Sequence, residues 1–389
     1  MAAAGAAREA PAAARIRAVG SWMVRSWMVL SWAILLCLAT SACQPAPAPP
    51  PAPQGQTASP QSVASPEQPA SQEQTASPEQ PAADSRSVHF TAAGDIGMGG
   101  GAKKVLDVIA GLKPDLNIAL GDLSYQAGAE QAFCDMVTGK LGNGFPYELI
   151  TGNHESDGHD GDIATFAQCL PNRLPGLQGT YGTQWYVDVP QDRPLVRFIF
   201  ISPGIRFPGG QPLDYSPGSD RWRWTESAID GARAANIPWT VVGMHTLCFS
   251  MGHYGCQAGE QLTNMLVGKD VDLVLTGHEH VYQRTHQLGL TAGCPVLVPE
   301  QALTECVADA DNSLVQGHGT VFVTVGVGGV GHHDVQADDP DAGLFAVWSG
   351  NNHDRAFGTL DVTLTGSRLD ARFVPAAGFT FTDAFAIDR

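Results

Sequence analysis

Basic residues are scarce in this 389-residue chain: 22 Lys and Arg stand against 39 Asp and Glu, a formal net charge of −17. After residue 84 the balance is 18 against 34. Without a basic stripe, a broad nucleic-acid surface is not expected. A small phosphorylated substrate is not excluded, because bound metal ions reverse the sign locally. Long hydrophobic runs are absent beyond residue 39, so no later segment can cross a bilayer as a helix. No two cysteines stand in CxxC spacing, which argues against a zinc ribbon. GVGGVG (326–331) is no dinucleotide fingerprint, since no βαβ unit with a well-placed acid follows it.

The chain does contain an export leader in outline. Residues 28–39 (MVLSWAILLCLA) form a short apolar run behind Arg25, the pattern of a signal h-region, and Thr-Ser-Ala-Cys follows. Residues 1–42 are therefore expected to be a signal peptide, with the Ala- and Arg-rich stretch before Met23 pointing to a translation start at Met23. The small residues before Cys43 resemble a bacterial lipoprotein cleavage box, with Thr40 where Leu is usual; the alternative is ordinary cleavage after Ala42. Residues 43–84 are rich in Pro, Ala, Gln and Ser, and ASPEQPA occurs twice, so they cannot bury a core and read as a tether. Extended at about 3.1 Å per residue, the tether would reach on the order of 100 Å. Membrane contact is expected only through a lipid on Cys43.

Residues 85–389 are long enough for one large α/β domain, with short apolar runs alternating with helical stretches such as 102–112 and 223–235. Residues 357–374 read as a hairpin around Thr-Gly-Ser, and late strands of this kind suggest a second sheet packed on the first. Cys134, Cys169, Cys248, Cys256, Cys294 and Cys306 allow fifteen connectivities. Short loops favour the sequential pairs, and free thiols or a zinc site are the alternatives.

Five apolar runs end in a potential metal ligand: HFTAAGD at Asp95, LNIALGD at Asp122, YELITGN at Asn153, WTVVGMH at His245 and VDLVLTGHEH at His278 and His280. Functional groups collect beyond the carboxyl ends of strands in open α/β sheets, so five distant ends can converge on one cleft. Gly94, Gly121, Gly152 and Gly277 each precede a ligand and fit tight turns that need unusual backbone angles. Singly, each element has a bland explanation as a turn, a cap or a core histidine. Together and in this order they point to a metal site.

In these motifs the sequence resembles the calcineurin-like metallophosphoesterases, and among them the purple acid phosphatases: GDIG (94–97), GDLSY (121–125), GNHE (152–155), GMH (243–245) and GHEHVYQR (277–284). The resemblance implies a four-layer α/β/β/α sandwich, with the tether in place of an amino-terminal β-domain. It assigns Asp95, Tyr125 and His280 to a ferric ion, Asn153, His245 and His278 to a divalent ion (Zn, Fe or Mn), and Asp122 to both. Gly97 replaces the His of the usual DxH motif. Tyr125 compensates with a phenolate, a hard anionic oxygen that favours Fe(III). Despite the acidic chain, two such ions against two carboxylates, a phenolate and a hydroxide leave the pocket cationic.

The reaction implied is acid phosphomonoester hydrolysis, in which water activated by the metals attacks phosphorus in line without a phosphoenzyme. His154 matches the family histidine that contacts the phosphoryl group, and His253 stands near the one that protonates the leaving group. Glu155 and Glu279 would orient neighbouring ligands. Arg284 is either structural or substrate-binding, Trp222 and Trp224 are packing aromatics, and His332-His333-Asp334, which follow GTVFVTVGVGGVG and could line the pocket mouth, are expected on the solvent side, outside the metal set. Two alternatives stand: a phosphodiesterase or nucleotidase using Mn or Zn on the same scaffold, and a surface binding lipoprotein with an inactive site.

Overall fold

The computed structural model describes residues 85–301 and 303–389. The leader, Cys43 and the tether lie outside the described residues. In chain order the elements are β1 (Val88–Ala93), α1 (Gly100–Leu112), β2 (Leu116–Ala119), α2 (Glu130–Leu141), β3 (Tyr147–Leu149), α3 (Ile163–Cys169), β4 (Gln178–Thr180) and β5 (Gln184–Val189). They continue with β6 (Val196–Phe200), α4 (Asp220–Ala234), β7 (Trp239–Gly243), α5 (Glu260–Gly268), β8 (Leu273–Thr276), β9 (Tyr282–Thr285) and β10 (Gln287–Leu288). The last are β11 (Val307–Asp309), β12 (Ser313–Val315), β13 (Val321–Val325), β14 (Phe345–Ser349), β15 (Gly358–Leu364), β16 (Arg368–Pro375) and β17 (Asp383–Asp388).

Two large mixed sheets carry the domain. One runs β12-β17-β16-β15-β1-β2-β3, the other β14-β9-β13-β8-β7-β6-β5-β4, and β10 pairs with β11. Within the first, β1, β2 and β3 are parallel; within the second, β6, β7, β8 and β13 are. The parallel strands of the second sheet are buried at every residue, as expected when both faces are covered.

Side-chain alternation sorts the layers. Phe198 and Phe200 of β6, Trp239 and Val241 of β7, and Leu273 and Leu275 of β8 join Phe90 and Val362 of the first sheet in one core. Phe90 and Phe198 meet edge to face, 5.0 Å between ring centres. The intervening Ile199, Val242 and Val274 face outward to Ile229 of α4 and Leu262 and Leu266 of α5. On the opposite flank α1 buries Ala102, Val105, Leu106 and Ile109, one stripe at helical spacing, and packs on β15 and β16. The result is the helix/sheet/sheet/helix order that the resemblance implied. Trp222 and Trp224 pack against the outer cluster around α4 and α5.

The hairpin at 357–374 forms as β15 and β16. It does not start a second sheet: β15 pairs antiparallel with β1, from Val88 beside Leu364 to Ala92 beside Leu360, and extends the first sheet. The second sheet comes from the middle of the chain. Among the described residues the disulfides are Cys134–Cys169, Cys248–Cys256 and Cys294–Cys306, the sequential pairs. Among the described residues no helix is long and apolar enough to cross a membrane.

Candidate metal centre

The five strand ends that carry the predicted ligands belong to both sheets: β1, β2 and β3 from the first, β7 and β8 from the second. Backbone bonds stitch the seam where they meet. Gly94 N donates to Val325 O (2.9 Å), Asp95 N to Gly121 O (3.1 Å) and Gly277 N to His245 O (3.0 Å). Residues 183 positions apart are joined when His278 N donates to Asp95 Oδ2 at 2.8 Å.

The expected unusual backbone angles fall mostly on the predicted ligands instead of the glycines. Asp95 (φ 58°), Asp122 (φ 54°), Tyr125 (φ 57°) and His278 (φ 69°) are left-handed, whereas of the four glycines only Gly121 is (φ 85°). Such angles cost non-glycine residues about 1–3 kcal/mol each and persist where surrounding structure holds them. Gly94, Gly152 and Gly277 are required by space. A Cβ on Gly277 would lie 2.8 Å from Asp95 Oδ2, one on Gly94 would press on Leu120, and one on Gly152 would fall on Asp122.

The seven predicted residues meet in two groups of four that share Asp122. Tyr125 Oη lies 3.0 Å from Asp95 Oδ1, 3.1 Å from Asp122 Oδ2 and 3.0 Å from His280 Nε2. His245 Nε2 lies 3.2 Å from Asn153 Oδ1, 3.3 Å from Asp122 Oδ1 and 3.2 Å from His278 Nδ1. Each hub faces three electron-rich atoms and has at most one proton to offer them. Cations satisfy that excess of lone pairs, and carboxylate, phenolate, amide and imidazole donors suit Fe, Zn or Mn better than soft metals. Asp122, His245 and His278 bring their donor atoms within 4.8 Å of one another.

The crowding of these groups sets their electrostatics. Burial, then the Asp95 and Asp122 carboxylates, push the Tyr125 phenol far above its ordinary range, so a phenolate there needs a cation beside it. Burial and neighbouring His245 push His278 down to about 3, which keeps its ring neutral with one nitrogen lone pair. Burial opposes charge on His245, but Asp122 foremost outweighs it and raises the group to about 10. At Asp122 burial is likewise overcome, by His245 and His154, and the carboxyl sits well below its ordinary range. His245 Nδ1 is committed to Leu120 O at 2.7 Å, which aims Nε2 into the site.

Two buried glutamates hold the loops around the centre. Glu155 accepts from the backbone N–H groups of Gly152 (2.5 Å), Asp122 (2.9 Å) and Leu123 (3.1 Å). Glu279 accepts from the N–H groups of His253 and Tyr254, both at 2.7 Å, and from His333 Nδ1. His154 lies beside the centre: its Nδ1 meets Asp160 Oδ2 at 2.7 Å and its Nε2 is 3.8 Å from Asp122 Oδ2. His253 is exposed at the mouth, its ring 6.1 Å from that of His333.

Arg284 proves structural, buried against Asp383 (2.7 and 2.9 Å) and Asn312. His333 departs from the solvent position expected of it: its ring stacks on His280 at 4.2 Å and 13°. His332 turns away to stack on Phe357. The rule that pointed to the predicted ligands points to His333 as well, because the loop holding it follows β13, another parallel strand of the second sheet. Tyr254 and Asp160 went unremarked in the sequence; Asp160 carried no signal beyond its nearness to His154.

The family model of the calcineurin-like phosphoesterases matches residues 88–282. Among curated proteins, the chain is 24% identical over 211 residues to purple acid phosphatase 18 of Arabidopsis thaliana, covering 52% of this chain and 45% of that protein. To purple acid phosphatase 21 of the same plant it is 28% identical over 211 residues (51% and 45%). To uncharacterized protein Rv2577 of Mycobacterium tuberculosis it is 27% identical over 196 residues (47% and 35%). The chain spans less than half the length of these relatives. The structure of purple acid phosphatase PPD1 from yellow lupin (Lupinus luteus) seeds has the same fold, with a TM-score of 0.59 at 18% identity over 78% of this chain and 54% of that one. The matched segment contains all five strand ends and all seven residues that converge on the two hubs, and the chain belongs to the calcineurin-like phosphoesterase family.

Proposed function

We propose that the protein is a dinuclear-metal phosphoric ester hydrolase, an acid phosphatase acting on small phosphomonoesters. Asp95, Tyr125 and His280 would hold Fe(III), Asn153, His245 and His278 a divalent Zn, Fe or Mn ion, and Asp122 would serve both. The observation that carries this reading is the Asp122 carboxylate, with Oδ2 set toward Tyr125 and Oδ1 toward His245. Tyr125 supports the ferric half, since a buried phenolate beside two carboxylates suits a hard trivalent ion.

When bound, the metal pair supplies an activated water and neutralises charge on the phosphoryl oxygens. The chain's own residues do the rest. Asp160 fixes His154 through Nδ1, which leaves Nε2 to hydrogen-bond a phosphoryl oxygen beside Asp122. His253, tied to Glu279 through its backbone, holds on a ring nitrogen the proton that the leaving oxygen takes.

Export fits the three disulfides, which persist in oxidising compartments, and a lipid on Cys43 would hold the domain at a membrane. Matched aryl phosphomonoester and phosphodiester substrates test the reading. Turnover of the monoester at acid pH is expected; hydrolysis of the diester alone would assign a phosphodiesterase, and of neither a binding role.

A further inference from the structure

Metal-ligating histidines are ordinarily oriented by a hydrogen bond from the ring nitrogen turned away from the metal. His245 has this bond, to Leu120 O at 2.7 Å, and so does His280, to Gly331 O at 2.7 Å. His278 does not: its Nε2 is buried with no hydrogen-bond partner. The ring of half-buried Tyr254 lies flat against it instead, 4.0 Å between centres and 19° between planes.

Resting on the metal assignment above, we propose that Tyr254 is the positioning residue of His278, its ring face supplying the orientation that the unpartnered nitrogen cannot. The loop carrying Tyr254 is built to deliver that ring. Cys248–Cys256 closes it, and Tyr254 N and His253 N both donate to Glu279 Oε2. Glu279 is itself the residue between His278 and His280 in the chain, so the ligand pair and the brace share one anchor. Gly252 lets the loop approach, because a Cβ there would collide with the Glu279 side chain. His280 is braced twice, by Gly331 O and by the stacked His333, and depends less on either.

The test is metal retention by the full chain, read as metal per chain by elemental analysis and as Zn2+ affinity by competition with a chromophoric chelator. Tyr254→Ala should hold Zn2+ about tenfold more weakly than wild type, the lower end of what such supporting contacts contribute. Tyr254→Phe, which keeps the ring, should bind like wild type, and His333→Ala should lose less than Tyr254→Ala. Unchanged Zn2+ affinity in Tyr254→Ala, or a Tyr254→Phe as weak as Tyr254→Ala, overturns the proposal. Should Tyr254→Ala fail to fold, Tyr254→Leu decides: weak binding supports the ring, and wild-type binding assigns the effect to bulk and overturns it. A wild-type chain that binds no metal overturns the functional reading and the brace together, whereas two metals in every variant at equal affinity overturns the brace alone.

Discussion

Tyr125 and Asp122 face each other across 3.1 Å, phenol oxygen to Oδ2, while the other Asp122 oxygen points at His245. One carboxylate thus joins two donor groups, each of which draws on both sheets. The functional account depends on that junction.

Asn153→Ala and His245→Ala each remove a donor from the divalent half. Supporting residues around metal sites cost about 10–100-fold when lost, so removal of a ligand should cost more than about 100-fold in hydrolysis with the fold retained. Activity with circular dichroism and elemental analysis checks this. Wild-type turnover in either variant would mean the ligands are wrongly assigned.

Glu155→Ala should act on stability before chemistry. It strands the N–H groups of Gly152, Asp122 and Leu123, and each buried donor left without a partner costs about 1–3 kcal/mol. A loss of at least about 3 kcal/mol is expected in denaturant unfolding of the metal-free protein. Glu155→Gln, which keeps an acceptor oxygen, should lose less.

Glu148, on β3 and fully buried, predicts a pH dependence. Burial raises its carboxyl from 4.5 to about 7, against smaller opposing contributions from Arg173 and Tyr181. Between those values the folded state keeps a proton that the unfolded state has released, so the group's contribution is favourable below pH 4.5 and is lost as pH rises to about 7. Glu148→Gln should therefore gain stability relative to wild type through that window, by at most about 1.4 kcal/mol per pH unit, and run parallel to it above. A difference that does not change with pH contradicts this.

Much of the site was legible in the sequence because the informative pattern is local. An apolar run that ends in Asp, Asn or His states both the strand and the residue at its carboxyl end, and this held at Asp95, Asp122, Asn153, His245 and His278. Pairing between distant strands leaves no such trace. The β15–β16 hairpin was visible from Thr-Gly-Ser, but its place beside β1 was not, since that contact joins Phe90 to Val362. The reason given for the glycines held at Gly121 alone: Gly152 and Gly277 are needed because neighbouring Asp122 and Asp95 fill the space of a side chain. Tyr254 was passed over because a ring stacked on another ring has no sequence signature, whereas His333 was set on the solvent side although its loop follows a strand of the second sheet.

The visible spectrum of the purified protein, taken with its metal content, tests the central claim most directly. An iron-containing protein with a tyrosinate-to-Fe(III) charge-transfer band that disappears in Tyr125→Phe is the predicted result. A colourless, iron-free protein that hydrolyses phosphomonoesters at full rate would contradict it.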